Sequence, residues 1–291
     1  MGVTAPIFVN NNSPCQFSHL VLNCEKKQRI DTMLSEIQKH LPDHPWQPLI
    51  QYFDTIDSTN TYAKQLALSG APEGTVILSD RQTGGRGRLG RSFSSPAGMG
   101  IYLSVILRPN CPPEALMHLT CAAGVAAANA IGDPQVGIKW TNDLVIHKRK
   151  LGGILTELSV DPATGKVSWA VIGIGINCCQ QPSDFPQDIR SMAISLGISP
   201  VQRPQLAAAL ISQLHKMRTS LFDKKEQILA DFSQRCVTIG QEISILRGDW
   251  VEHGTAIGID PDGALLVRYP DGKTGAVASG EVSIRGMYGY V

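Results

Sequence analysis

The stretch PEALMHLTCAAGVAAANAIG, Pro113 to Gly132, limits the fold more than any other. Its small side chains hold nothing at a distance, so as a helix it can pack closely on a sheet. Runs rich in β-branched and aromatic residues supply the strands: LIQYFDTI from Leu49, GTVILSD from Gly74, GIYLSVILRP from Gly100, VGIKW from Val136, KLGGILTELSV from Lys150 and VSWAVIGIGIN from Val167. TND and DPATG read as turns between the later strands. STNTYAKQLALSG reads as a helix with Ser58 or Thr59 as N-cap and Gly70 as its stop. QLAAALISQLHKMRTSLF and KEQILADFSQR read as two further helices. This mixture predicts an α+β domain, a sheet covered by helices, over residues 48–235.

The flanks differ. Residues 1–47 form an N-terminal extension that opens polar and Asn-rich, then offers KQRIDTMLSEIQKHL. Ile30, Met33, Leu34, Ile37 and Leu41 fall on one face of that helix, which predicts that it docks. A winged-helix DNA reader needs about three helices, one of them basic, and no second helix is offered. Residues 236–291 carry short strands separated by RGD, PDG, YPDGKTG and ASGE, the pattern of a small β-barrel.

Twenty-six Lys and Arg against 25 Asp and Glu leave a formal charge of +1, so any basic site must be local. DNA is therefore not an expected partner, and neither is a membrane: no apolar run reads as a bilayer span. The start, MGVTAPIFVNNNSP, lacks a secretory pattern and has Pro6 where myristoylation needs Ser or Thr, so a cytoplasmic protein is expected. Seven scattered cysteines, adjacent only at Cys178 and Cys179, fit reduced packed thiols. His40 and His44 have helical spacing, but Pro42 between them argues against a metal pair.

Local charge is concentrated in TGGRGRLGRSF, Thr83 to Phe93. Glycines let a loop approach a ligand and order around it, and guanidinium groups bind phosphate or carboxylate oxygens in pairs. One copy of this pattern, set between two strands of a neutral domain, reads as an anion site rather than an RGG-type nucleic-acid segment.

GIKWTNDLVIHKRKLGGILTEL resembles the signature segment of biotin protein ligases, and TGGRGRLGRSFSSPAGMGIYLSV resembles their adenylate loop. With DSTN at Asp57 to Asn60 ahead and GIGIN at Gly173 to Asn177 behind, four motifs stand in that family's order over roughly residues 52–291. The resemblance implies a mixed-sheet catalytic domain of the class II aminoacyl-tRNA synthetase and biotin ligase type, followed by an SH3-like β-barrel. It also implies a reaction: biotin and ATP, with Mg2+, form biotinyl-5'-AMP, and a specific lysine of a biotin carboxyl carrier domain, that of acetyl-CoA carboxylase, takes the biotinyl group.

The same resemblance distributes roles. Ser58, Thr59, Asn60 and Gln82 match positions lining the biotin ureido and ring region, with Arg86, Gly87 and Arg88 beside them. Gly152 and Gly153 would let the sheet backbone approach the ligand, or else mark a strand bulge. Arg86, Arg88 and Arg91 would offset the meeting of carboxylate and α-phosphate, with Lys150 and Lys139 near the reacting groups. Asn142 and Asp143 would organise nucleotide and magnesium, though which side chains ligate metal is left open, and Asn177 would contact adenine. Closure of the glycine-hinged loop would protect the acyl-phosphate anhydride from water. No covalent enzyme intermediate is needed, so Cys178 and Cys179 are expected to be packed.

Leu89 stands where some relatives carry another arginine, and Thr141 replaces the proline of the KWPND form. The single N-terminal helix points to the catalytic-only type without a winged helix. Two rival readings are lipoate protein ligase, which shares the chemistry, and a biotin-sensing DNA-binding regulator. Pairing of two copies through sheet edges is open.

Overall fold

Successive side chains of a strand face opposite sides, and here each side of the sheet meets its own helical layer. In the computed structural model, which describes residues 32–278 and 283–286, seven strands form one mixed sheet in the order β1-β2-β3-β7-β6-β5-β4. They are β1 Ile50–Ile56, β2 Val76–Gln82, β3 Gly100–Leu107, β4 Gly137–Lys139, β5 Asp143–Ile146, β6 Arg149–Val160 and β7 Val167–Asn177. β1 and β2 are parallel, joined through helix α2 (Thr59–Leu68), and the other neighbours are antiparallel.

On one face, Ala63 and Ala67 of α2 meet Ile77, Ile106, Trp169 and Val171. On the other, Val76, Leu78, Leu103, Val105, Ile172 and Ile174 join the main core with α3 (Leu119–Ile131) and α4 (Arg203–Ser220). Helix α5 (Lys225–Arg235) packs on α3. Every residue of α3 from Cys121 to Ala128 is buried, which only small side chains allow between a sheet and two helices. Contrary to the reading of the sequence, Pro113–Ile131 is long and apolar enough to cross a membrane on length and composition. In the fold its apolar faces are taken up by the sheet, α4 and α5.

Two expectations change. The helix expected from Pro113 is broken into a 3-10 turn, Pro113–Leu116, and α3. At the break, the fully buried His118 places Nε2 2.9 Å from Leu221 O, a tertiary contact that local pattern does not reveal. Strand β5 was hidden behind the TND turn: it is short, and it exists because β4 and β6 flank it. His147 and Lys148, both at positive φ (49° and 59°), make the turn into β6, which carries Lys150.

Residues 32–39 form α1, and its Ile37 and Leu41 beyond its end are buried as expected, with Met33 and Leu34 packed beside them. Ile30 and the Asn-rich start lie outside the described residues. Trp46 fills the space over Gly74 that a Cβ would occupy. The C-terminal strands β8 Glu242–Arg247, β9 Trp250–Ile259, β10 Leu265–Arg268, β11 Thr274–Val277 and β12 Ser283–Gly286 form an antiparallel sheet, order β11-β10-β9-β8-β12, that fits an SH3-like barrel. Ile243, Ile245, Ala256, Leu265, Val267 and Val277 fill it and continue into the main core.

Candidate active site

A cavity of about 650 Å³ opens between the N-terminus of α2, the loop after β2, and the adjoining ends of β4, β5, β6 and β7. That volume suits a small molecule with a nucleotide-sized part.

Its polar end is built by α2. Ser58 caps the helix, its side chain accepting from Thr61 N, and so brings Thr59 and Asn60 to the cavity wall. All three are at most 4% exposed. Gln82 Oε1 accepts from Thr59 N (2.9 Å) and Thr59 Oγ1 (3.1 Å), while its Nε2 donates to Ser95 Oγ at 2.8 Å. Asn60 donates to Leu155 O (3.3 Å) and Glu157 Oε2 (3.0 Å), and Ser104 Oγ lies 2.6 Å from Asn60 Oδ1. Lys64 Nζ holds the other Glu157 oxygen at 2.6 Å. Burial alone would raise the Glu157 carboxyl, but the hydrogen bonds from Lys64 and Asn60 and the charges of Lys64 and Arg86 outweigh it and hold it below the ordinary range.

Glycines on β7 make the floor. A Cβ on Gly173 would overlap Asn60 Oδ1, and one on Gly175 would lie 2.6 Å from the Phe93 ring. Period-two alternation puts both glycines on the α2 face, so the sheet backbone itself forms this wall.

The basic end comes from three elements. Arg86, Gly87, Arg88 and Arg91 line the cavity from a folded hairpin, closed by Gly87 N to Arg91 O (2.7 Å) and Phe93 N to Gly85 O (2.9 Å). Leu89 and Gly90 turn it in the left-handed region, φ 55° and 73°. Arg88 Nη1 donates to Asn142 Oδ1 at 3.2 Å. Burial lowers the Arg88 pKa, the Asp143 charge opposes this and Arg91 adds to it; a guanidinium remains charged nonetheless. Lys150 Nζ meets Asp143 Oδ1 at 2.6 Å, and Lys139 reaches the wall although it is only 8% exposed. Five cations thus line the cavity against a single carboxylate, Asp143, among the described lining residues. Such an excess suits a polyanion.

Gly153 lines the cavity, but two sequence-derived positions do not. Gly152 stands at the β5–β6 bulge, where its missing Cβ admits the Gly175 carbonyl; it lets strands approach each other, not a ligand. Asn177 is 6% exposed and turned to scaffolding: Nδ2 donates to Ile194 O at 3.1 Å and Oδ1 accepts from Gln180 at 3.2 Å. Asn177 thus packs beside the cavity without lining it.

Phe93, Trp140, Met192, Gly173 and Gly175 are lining residues that the sequence reading passed over. The two glycines were detectable from strand alternation. Met192 was not: it arrives because Lys150 N donates to Met192 O and Ile194 N to Lys150 O, a pairing of distant segments. Trp140 ties the wall to the barrel through Nε1 to Gly263 O, 3.0 Å. Cys178, fully buried, has its thiol pushed up to about 12 by burial and then by neighbouring Cys179, which fits a packed thiol.

Residues 52–177 match the Biotin/lipoate A/B protein ligase family, and residues 238–285 match the Biotin protein ligase C terminal domain. The class is thus a protein ligase with a catalytic sheet domain and a terminal barrel. The bifunctional ligase/repressor BirA of Bacillus subtilis is 34% identical over 245 residues, 82% of this chain and 75% of that one. The biotin–[acetyl-CoA-carboxylase] ligase of Mycobacterium tuberculosis is 32% identical over 234 residues, 77% of this chain and 85% of that one. The biotin protein ligase from Aquifex aeolicus, solved in complex with biotin and ATP, has a TM-score of 0.68 at 27% identity, covering 81% of this chain and 98% of that chain. The chain belongs to the biotin protein ligase family.

Proposed function

We propose that the chain is an ATP-dependent biotin protein ligase of the biotin–[acetyl-CoA-carboxylase] type, and that the cavity houses both of its steps. The observation that carries the reading is the convergence, on one cavity, of the buried polar trio of α2 and five cationic side chains.

In the first step a biotin carboxylate oxygen bonds to the α-phosphorus of ATP, the bond from that phosphorus to the pyrophosphate oxygen breaks, and pyrophosphate leaves. Two anions must meet, and Arg86, Arg88, Arg91, Lys139 and Lys150 supply positive charge fixed in advance of the reaction. The pairs Lys150–Asp143 and Arg88–Asn142 hold two of these cations in place. Ser58, Thr59, Asn60 and Gln82 orient the ureido end, over the β7 glycines. In the second step the neutral amine of the acceptor lysine attacks the acyl carbon, the bond from that carbon to the AMP oxygen breaks, the amine proton passes to solvent and AMP leaves. The hairpin over the cavity would keep water from the anhydride.

Mg2+ binds through one or two carboxylates together with substrate phosphates, so Asp143, the carboxylate of the described lining, would hold an ion that arrives with ATP, with Asn142 next to it in the chain. No group of three or more His, Cys, Asp or Glu among the described residues forms a cage for one. When bound, the ion would neutralise phosphate charge.

The acceptor we propose is a lysine of a biotin carboxyl carrier domain, a reading supported by the names of the mycobacterial and Paracoccus denitrificans relatives.

The test mixes the chain with Mg-ATP, a carrier domain and either biotin or lipoate, and follows mass on the acceptor lysine. A biotin-sized gain that is lost, by a hundredfold or more in rate, in Arg86→Ala and Lys150→Ala is expected. A gain with lipoate alone would overturn the reading.

A further inference from the structure

We infer that Glu157, which does not line the cavity, is a positioning residue: its carboxylate decides which end of the Asn60 carboxamide faces the bound ligand. The inference rests on the proposed role of Asn60 as a contact to the biotin ureido group.

Asn60 has two N–H bonds, and both are engaged, one by Leu155 O at 3.3 Å and one by Glu157 Oε2 at 3.0 Å. A backbone carbonyl and a carboxylate can only accept, so Nδ2 must point toward them and Oδ1 the other way, toward Ser104 and over Gly173 of the cavity floor. The Ser104 hydroxyl, whose one proton is shared between Oδ1 at 2.6 Å and Thr59 Oγ1 at 2.8 Å, takes at most one of the two lone pairs of Oδ1. An asparagine held in this way offers a ligand an acceptor and no donor. It therefore suits an N–H of a ureido ring and disfavours a carbonyl at the same place.

Glu157 is in turn oriented by Lys64, a donor-only group 2.6 Å from Oε1. This arrangement makes a single isosteric change informative. In Glu157→Gln, Lys64 keeps the amide oxygen to itself, so the new NH2 is turned toward Asn60 Nδ2. Donor then faces donor, and the Asn60 carboxamide is driven to flip. In Asn60→Asp the fault is reversed, because a carboxylate faces the Glu157 carboxylate. Combining both changes restores a donor opposite an acceptor.

The experiment measures biotin affinity of the full chain by calorimetry without nucleotide, with a thermal unfolding midpoint for each variant. Glu157→Gln is expected to weaken biotin binding about tenfold in the wild-type background and to strengthen it about tenfold in the Asn60→Asp background. An equal effect of the same sign in both backgrounds, or no effect in either, overturns the inference. Should Glu157→Gln fail to unfold cooperatively, Glu157→Asp, which withdraws the carboxylate by one carbon, replaces it. A loss of affinity with Asn60 present that vanishes in Asn60→Ala sustains the inference, and an equal loss in both overturns it. Absence of biotin binding by the unaltered chain would instead remove the proposed role of Asn60.

Discussion

Gly173 and Asn60 share one space, and that single overlap connects backbone, side chain and ligand. Gly173→Ala must displace the Asn60 carboxamide, because the added Cβ would overlap Oδ1. Overpacking of this kind costs about 1–3 kcal/mol, but the larger consequence falls on binding, since Asn60 loses Ser104 and Glu157 together. The expected outcome is a fall of at least tenfold in biotin affinity with a thermal midpoint lowered by only a few degrees, read by calorimetry and by thermal unfolding. Cys178 makes the opposite case. Its thiol is buried and pushed up to about 12, so it has almost no thiolate at neutral pH. Iodoacetamide at pH 8 is expected to leave biotin transfer intact, and Cys178→Ala to keep transfer within about threefold while lowering stability through the cavity it leaves. Inactivation that Cys178→Ala prevents would contradict the packed-thiol assignment.

Among the elements, the segment from α1 to β1 depends on a small ring cluster. His44 and His215 of α4 stand 4.9 Å apart, and Trp46 lies 5.0 Å from His215, each pair edge to face. Trp46 N donates to His44 Nδ1 at 3.2 Å, which assigns the remaining proton to Nε2 of a neutral ring. Burial, with the His215 charge, lowers the His44 pKa from its ordinary 6.5. The unfolded chain therefore takes up this proton first on acidification. Stability from the neutral ring is fully present above about pH 6.5 and is lost as pH falls through the lowered folded value. Between pH 7.5 and 5.5 the urea midpoint should decline, and His44→Gln should flatten that decline. An unchanged slope in the variant would assign the effect elsewhere. The loop hairpin differs in kind: Arg86 and Arg91 are exposed on the rim while Arg88 is half-buried against Asn142, so the element spans solvent and cavity. Its glycines and arginines were legible as an anion loop, yet which arginine turns inward depends on β5, a strand hidden in the sequence by its shortness.

For the whole molecule, the barrel is joined to the catalytic wall through Trp140. Its Nε1 donates to Gly263 O and its backbone N donates to Thr238 Oγ1. Trp140→Phe keeps most of the ring but leaves the buried Gly263 carbonyl with the weak Cys121 Sγ contact at 3.8 Å. A loss of about 1–3 kcal/mol is expected, together with a raised KM for ATP as the Lys139–Asn142 wall loosens. Chemical unfolding and steady-state kinetics would check the two halves, and an unchanged stability would show that the barrel is held by its apolar contacts alone.

Local order explains what the sequence by itself determined. Strand alternation, the Ser58 cap and the alanine-rich α3 depend on neighbours in the chain, so the elements, the sheet-and-helix architecture and the family's ordered motifs were readable from residues alone. The grouping of Ser58, Thr59, Asn60, Gln82, the loop arginines, Lys139 and Lys150 was readable only through the family resemblance. Tertiary structure alone decided the rest: that Gly152 serves strand approach, that Asn177 is turned to Ile194 and Gln180, that Met192 reaches the cavity, and that Glu157 orients Asn60. Each of these depends on a contact between segments far apart in the chain, and a hydrogen bond's partner is set by where the folded backbone brings donors and acceptors together.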